Sequence, residues 1–331
     1  MRILITGANG FIGSRLVASL LHEGHEVRGL VRKTSNLKLL EGVPVELAYG
    51  DVAEPDTLDA AVEGMDIVIH TAGAVMDWGE LDYFTKINVG GTQHIALASE
   101  RAGVKRFVHI STVAVHGFDV RHAGEDHPKP DSYVAVYCST KKMAEDWLHT
   151  FIPQTSMEVT IVRPGNVFGP HDEKFIAPYL DFIEKGGFVY VNGGKQFTCP
   201  TYIENLVYGI QLAAFHPAAK GETFLITDGL DIDWRHFTDS LVSKLGLPLP
   251  RRSVPHGLVY GVAAAMEGVW KLLGKRDAPL LTRYRINNAG KDYHFSVEKA
   301  RQLLGYAPPV DFQTAVERTV KWYLEYKKSG H

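Results

Sequence analysis

The tightest constraint on this chain lies in its first dozen residues. A β-rich run, Ile3-Leu4-Ile5-Thr6, leads straight into Gly7-Ala8-Asn9-Gly10-Phe11-Ile12-Gly13, and residues 11–23 then carry apolar side chains at three-and-four spacing. Strand, glycine loop and helix in that order predict a βα unit. Its glycines serve the tight turn, close approach of the backbone to a ligand, and helix–strand packing. The helix N-terminus beyond such a loop offers unpaired amides and a positive dipole end, which suits a pyrophosphate. The expected contacts are Gly7, Asn9, Gly10, Phe11, Ile12 and Gly13.

The same rhythm continues. Strand-like runs fall at 3–6, 26–31, 45–49, 67–71, 107–111 and 159–163, and helical patterns at 11–23, 56–63, 82–102 and 132–151. Alternation of this kind predicts an α/β fold with a Rossmann-type, doubly wound parallel sheet and right-handed crossovers, with ligands beyond the carboxyl ends of the strands. After Phe168-Gly169-Pro170 the pattern becomes irregular. Residues 1–168 are therefore expected to bind the cofactor and 169–331 to form a smaller, mainly substrate-binding region. The segment 203–228 rejoins the first part, with 224–227 as a seventh strand. Later helices are expected near 258–273, 297–304 and 312–326.

Composition narrows the class. The 331 residues hold 35 Lys plus Arg against 38 Asp plus Glu, a net charge of −3, which argues against a general nucleic-acid binder. With 45% hydrophobic and 22% charged residues the chain can fill a core and is not disordered. Two cysteines, Cys138 and Cys199, are too few for a disulfide framework and too distant for a metal knuckle, so a reducing cytoplasm is expected. No signal-peptide pattern opens the chain, and the fold is expected to start at residue 1. The apolar stretch 257–273 is interrupted by Glu267 and Lys271 and is short of the roughly 20 residues of a span. It is a core helix, a lid or a peripheral membrane contact.

Where an NAD-selective second strand ends in Asp or Glu, this chain has Val31-Arg32-Lys33. Arg32, with Lys33 and Ser35, suits a 2′-phosphate, so NADP(H) is favoured over NAD(H). Asp51 and Val52 follow the third strand, where the adenine edge would lie. Tyr137 and Lys141 stand at i and i+4 on one helix face, downstream of Ser111-Thr112 at a strand end. A hydroxyl, a phenol and an ammonium in that order suit carbonyl reduction. Thr112 holds the oxygen, Tyr137 exchanges its proton, and Lys141 holds the nicotinamide ribose and favours phenolate; the phenol pKa is expected to fall from about 10 by about 3 units under the near cation and an oxidised nicotinamide together. Cys138 reads as a packing residue. His122, Glu125, Asp126 and His127 are irregularly spaced and read as a solvated loop at the rim of the site; no metal is expected.

These landmarks, with Gly50-Asp51-Val52, His70-Thr71-Ala72-Gly73, Asn88-Val89-Gly90-Gly91-Thr92 and Arg163-Pro164-Gly165-Asn166-Val167-Phe168-Gly169-Pro170, resemble the extended short-chain dehydrogenases/reductases of the epimerase/dehydratase superfamily over nearly the whole chain. The resemblance implies that Thr112, Tyr137 and Lys141 are catalytic. It implies that Thr71, Ala72, Gly73, Asn88, Pro164, Gly165 and Val167 line the cofactor, and that Val75, Val113, Asn166 and Tyr202 meet the substrate. It also implies a homodimer through the 82–102 and 132–151 helices. Asp77-Trp78-Gly79, Thr201-Tyr202-Ile203-Glu204-Asn205-Leu206, Pro279-Leu280-Leu281-Thr282-Arg283 and 300–306 resemble the branch of 3β-hydroxysteroid dehydrogenases, sterol-4α-carboxylate 3-dehydrogenases and 2-alkyl-3-oxoalkanoate reductases. A hydrophobic alcohol or ketone is then the expected substrate. Three other readings remain: a nucleotide-sugar 4-epimerase, a dihydroflavonol-reductase-like enzyme, and a noncatalytic cofactor sensor. Dehydration is disfavoured because Val113-Ala114 follows Thr112 where an Asp-Glu pair would be needed.

Overall fold

The computed structural model describes residues 1–329. Seven strands form one parallel sheet: β1 (Arg2–Thr6), β2 (Glu26–Val31), β3 (Glu46–Tyr49), β4 (Ile67–His70), β5 (Arg106–Ile110), β6 (Glu158–Pro164) and β7 (Thr223–Ile226). Their order is β7-β6-β5-β4-β1-β2-β3. The direction of winding reverses between β1 and β4, and every carboxyl end opens on one edge, where a doubly wound sheet binds its ligand. The sheet is therefore of the expected Rossmann type, and the chain returns to it at Thr223–Ile226.

Both faces of the sheet are covered, as a parallel sheet requires. Side chains alternate along each strand, so Ile3 and Ile5 join the core beneath α1 (Phe11–His22) and α2 (Ile203–Phe215), while Leu4 faces the opposite core. That second core is closed by Ile95, Ala96 and Ala98 of α3 (Gly91–Arg101) and by Leu148 and Phe151 of α4 (Val136–Phe151). His70 and His109 are paired in register on β4 and β5 and share this face with Val68 and Phe107.

Several expectations are corrected. The helix expected from residue 132 begins at Val136, because Ala135 is extended and Tyr133 is drawn aside to donate its hydroxyl to the Val115 carbonyl at 2.7 Å. The 82–102 helix is broken by a π-helical stretch, Thr85–Gly90, that carries Asn88. Residues 56–63 form a 3₁₀ turn, Pro55–Thr57, and a single helical turn, Asp59–Val62. His122 is in a short strand, Val120–Ala123, paired with Tyr293–Phe295, and not in a loop. Glu125 and His127 are not simply solvated rim. Glu125 accepts from Leu225 N of the edge strand at 2.9 Å, and the His127 carbonyl contacts His116 Nδ1 at 2.9 Å.

One buried ionic cluster ties these layers together. Glu145 of α4, fully buried, accepts from Arg163 Nε (3.0 Å) and Nη2 (2.8 Å) on β6, from Lys129 Nζ (2.6 Å) and from the Ser111 hydroxyl beyond β5. Burial alone would raise its pKa, but the charge and hydrogen bonds of Arg163, with those of Lys129, outweigh that and hold it at about 2. Removing one member of such a cluster leaves the others buried and unpaired. Glu145→Gln is expected to cost about 3–5 kcal/mol, measured as the shift of the urea unfolding midpoint at pH 7.

Buried histidines set the acid side of the stability curve. Burial, then the Lys141 charge, lowers His70 to about 3 and holds His109 well below its usual range; burial, then Arg163, lowers His116 to about 4. Below the unfolded value of about 6.5 the unfolded chain binds protons that the folded chain refuses, so stability falls as pH drops. Asp172 and Asp228, raised by burial to about 6 and about 7, pull the other way but are fewer. Urea midpoints are expected to decline steadily from pH 7 to pH 5. A flat profile would contradict the neutral state of these rings.

Candidate active site

The loop at the carboxyl end of β1 uses its three glycines differently. Gly7 has φ +66°, and a Cβ there would stand 2.9 Å from Ala72 Cα, so the adjoining strand end presses against it. Gly13 packs so closely that a Cβ would lie 2.2 Å from the Gly7 carbonyl oxygen. Gly10 is the N-cap of α1 and supplies no side-chain cap, leaving the first amides of the helix without a side-chain partner. Thr6 locks the floor: its carbonyl accepts from the Thr71 hydroxyl at 2.6 Å and its own hydroxyl from Ala72 N at 3.1 Å. A cradle too tight for a Cβ at Gly7 and Gly13, ending at an uncapped helix N-terminus, fits the pyrophosphate of a dinucleotide. Asn9 braces this loop on the next one through Asn36 O, at 3.1 Å.

Past β2, Arg32 and Lys33 are exposed and form no ion pair with any described residue, and Arg32 N donates to Ser35 Oγ at 3.2 Å. Asp51 caps its own turn, accepting from Ala53 N at 2.9 Å, while its amide donates to Thr57 Oγ1. Val52 is buried beneath α3, where a Cβ on Gly91 would meet it at 2.8 Å.

Thr112 and Tyr137 lie beside each other beyond the carboxyl end of β5, and Lys141 reaches the last residue of that strand. The Thr112 hydroxyl accepts from Ala114 N at 3.1 Å and hydrogen-bonds Tyr137. Neighbouring Ser111 is turned away to Glu145, so Thr112 is the hydroxyl left for the site. Burial raises the Tyr137 phenol above its ordinary value, and the Thr112 bond offsets only part of this. In these surroundings the residues alone push the phenol up, so the expected fall belongs to the cofactor-bound site. Lys141 Nζ is anchored to Ile110 O at 2.7 Å and to His109 Nε2 at 3.3 Å, and burial, partly offset by Glu145, lowers its pKa to about 8. Cys138 packs beside Tyr137 with its thiol pushed up to about 12 by burial, so it is no nucleophile.

Around Tyr137 the wall is apolar and aromatic: buried Val113 and Tyr293, with Phe118 and Tyr284 packed against them. Asn88 spends its amide on Ala74 N (2.8 Å), Ala74 O (3.2 Å) and Thr140 Oγ1 (3.1 Å), and so fixes the loop after Gly73 to α4. Gly165 lets the segment after Pro164 pass against Cys199, whose carbonyl oxygen a Cβ would meet at 2.4 Å; Val167 is packed into the core. Among residues expected at the substrate, Val75 is 58% exposed at the rim and Val113 is fully buried. Asn166 exchanges amide hydrogen bonds with Asn288 at 3.1 and 3.2 Å. Tyr202 is corrected: it is a core residue, its ring tilted against Phe168, with its hydroxyl on Glu204 at 3.2 Å.

Sequence reasoning missed Glu145, His70, His109 and Tyr284. Only Glu145 left a signal, its i+4 spacing from Lys141 on the same helix face. His122 also finds unexpected partners, Asp231 and His294. His294 Nδ1 accepts from His122 N, which puts its ring proton on Nε2, shared between Asp231 (3.0 Å) and Leu230 O (3.2 Å). The exposed His122 ring stands farther off, its Nδ1 3.9 Å from Asp231.

Residues 3–227 match the model of the NAD dependent epimerase/dehydratase family. The chain is 29% identical over 326 residues to a 2-alkyl-3-oxoalkanoate reductase of Stenotrophomonas maltophilia, covering 96% of this chain and 98% of that one. It is 31% identical over 341 residues to a 3 beta-hydroxysteroid dehydrogenase/Delta 5-->4-isomerase of Mycobacterium tuberculosis, covering 98% and 90%. In fold it is similar to the crystal structure of DesIV, a dTDP-glucose 4,6-dehydratase from Streptomyces venezuelae with NAD and TYD bound, with a TM-score of 0.80 at 26% identity over 99% and 98% of the two chains. With the glycine cradle on β1 and the hydroxyl, phenol and ammonium beyond β5, the chain belongs to the NAD dependent epimerase/dehydratase family, as an enzyme of the extended short-chain dehydrogenase/reductase type.

Proposed function

We propose that this enzyme interconverts a secondary alcohol and a ketone on a hydrophobic substrate, of the 3-hydroxysteroid, sterol or 2-alkyl-3-oxoacid kind, with NADP(H) preferred over NAD(H). The observation that carries the reading is the wall around Tyr137, built from Val113, Phe118, Tyr284 and Tyr293. A nucleotide sugar needs cations for its diphosphate, whereas the arginines of the second region near this wall are already engaged. Arg283 pairs with Glu267, and Arg285 with Asp77. Val113 and Ala114, both buried, leave no acid–base pair after Thr112 for dehydration. The two relatives, a 2-alkyl-3-oxoalkanoate reductase and a 3 beta-hydroxysteroid dehydrogenase/Delta 5-->4-isomerase by name, point the same way.

The bound nicotinamide supplies or accepts the hydride. Thr112 holds the substrate oxygen as charge develops on it, as a preorganised donor does. Tyr137 gives that oxygen its proton in reduction and takes it back in oxidation. Lys141, cationic at neutral pH with a pKa of about 8, keeps positive charge one helical turn from the phenol. The exposed Leu97 and Met143, on α3 and α4, suit the homodimer contact those helices are expected to make.

Two measurements test the reading. Tyr137→Phe removes the transferable proton and keeps the ring, so single-turnover reduction of a 3-ketosteroid or 2-alkyl-3-oxoacid should fall by about 10²-fold or more while NADPH still binds. Turnover of UDP-sugars alone, without net nicotinamide oxidation, would transfer the assignment to an epimerase. Arg32→Ala should weaken NADPH about tenfold or more and leave NADH nearly unchanged, as loss of a charge-assisted phosphate contact requires. Equal losses for both cofactors in a binding titration would remove Arg32 from the 2′-phosphate.

A further inference from the structure

The helix His256–Leu272 is built inside out. Its one acid, Glu267, is buried and takes the Arg283 amide and guanidinium, both at 2.7 Å. Its outer face carries Leu258, Val262, Ala265, Val269 and Leu272, at spacings of four, three, four and three that form one stripe. Leu258 is 64% exposed, Leu272 87%, and Leu273 and Leu280 just beyond are 61% and 66%. Exposed apolar residues scattered singly need no explanation, but a stripe along about 21 Å of helix does.

Two further observations say what covers it. Exposed cations stand at both ends, Arg251 and Arg252 before the helix, Lys271 in its last turn and Lys275 and Arg276 after it, against one exposed acid in residues 251–280, Asp277, and Glu80 and Asp82 farther along the adjoining loop. This concentration of positive charge belongs to a chain whose net charge is −3. A second copy laid on the stripe, parallel or antiparallel, would bring these cations against each other, whereas an anionic surface complements both ends. The loop that leaves the active site is also fastened to this helix and its exit. Asp77 accepts from Thr282 at 2.6 Å and pairs with Arg285 at 2.7 Å, and Trp78 Nε1 donates to Lys275 O at 3.4 Å. Beside these anchors Val75 and Met76 are 58% and 47% exposed, three residues or fewer from Gly73 of the expected cofactor site. The Lys271 ammonium lies over the Trp78 ring and that of Lys275 over Trp270, the aromatic and cationic pairing suited to a bilayer interface.

We propose that the outer face of His256–Leu272, with Val75, Met76 and Leu280, docks on an anionic phospholipid bilayer, so that a hydrophobic substrate passes from the lipid into the site without crossing water. The helix lies in the plane of the interface, its apolar stripe among the acyl chains and its end cations at the phosphates. This rests on the hydrophobic-substrate reading above, and the test separates the two.

The full chain is sedimented at physiological salt with vesicles of phosphatidylcholine containing 30% phosphatidylglycerol, and with pure phosphatidylcholine. Binding should be about tenfold stronger to the anionic vesicles. The double variant Leu272→Asp/Leu273→Asp should lose most of it, and Arg251→Glu/Arg252→Glu should lose the preference for anionic lipid. Both variants change exposed residues outside the catalytic machinery, so NADPH-dependent reduction of a water-soluble ketone should stay at the wild-type rate. Failure of the wild-type protein to bind, with ketone reduction intact, overturns the docking surface and leaves the enzymatic reading standing. Binding without any ketone reduction defeats that reading instead. A change in molecular mass by light scattering on Leu272→Asp/Leu273→Asp would assign the stripe to a second copy and also overturn the proposal.

Discussion

The placement of the reacting groups depends on a carboxylate buried between three elements. Glu145 draws Arg163 from β6, Lys129 from the segment before α4, and the hydroxyl of Ser111 from the end of β5. Each bond fixes an angle as well as a distance, because the guanidinium presents a planar fork and the carboxylate has few remaining lone pairs. With Ser111 turned down into the cluster, Thr112 is extended, with φ −163° and ψ 148°, and its side chain serves the site. Tyr137 and Lys141 stand on the same helix as Glu145, eight and four residues earlier, so one anchor sets the register of all three groups. Such a cluster adds little net stability over an apolar replacement of similar volume. What it contributes here is a single arrangement of β5, β6 and α4.

How much of this was legible follows from the range of the interactions. The glycine loop, the strand order and the hydroxyl, phenol and ammonium are written in short segments. Their periodicities, one turn of a helix or one tight loop, are local, and the structure forms the sheet and brings those three groups together. Tyr202 misled because its neighbours in sequence resemble a substrate segment while its neighbours in space, Phe168 and the α2 core, do not. His109 and Tyr284 were invisible for the same reason: one reaches Lys141 across 32 positions, and the other reaches the aromatic wall from the far end of the chain. The start of α4 was missed by four residues because Tyr133 prefers a tertiary hydrogen bond to a place in the helix.

Burial sets the resting protonation states of this cluster. It raises the Tyr137 phenol pKa, so the residues alone keep the phenol protonated at neutral pH while making it a weaker acid than an ordinary tyrosine. Lys141 does not offset this by contact, since its ammonium is committed to the Ile110 carbonyl and to His109. His109 must stay neutral to accept from Lys141, and its burial beside that cation keeps it so. Neutral histidines beneath a cation therefore hold Lys141 in place, and the apolar wall holds the proton on Tyr137. Proton transfer is most efficient when the pKa lies near the working pH, so a phenol in these surroundings needs further positive charge near it to act as acid or as base.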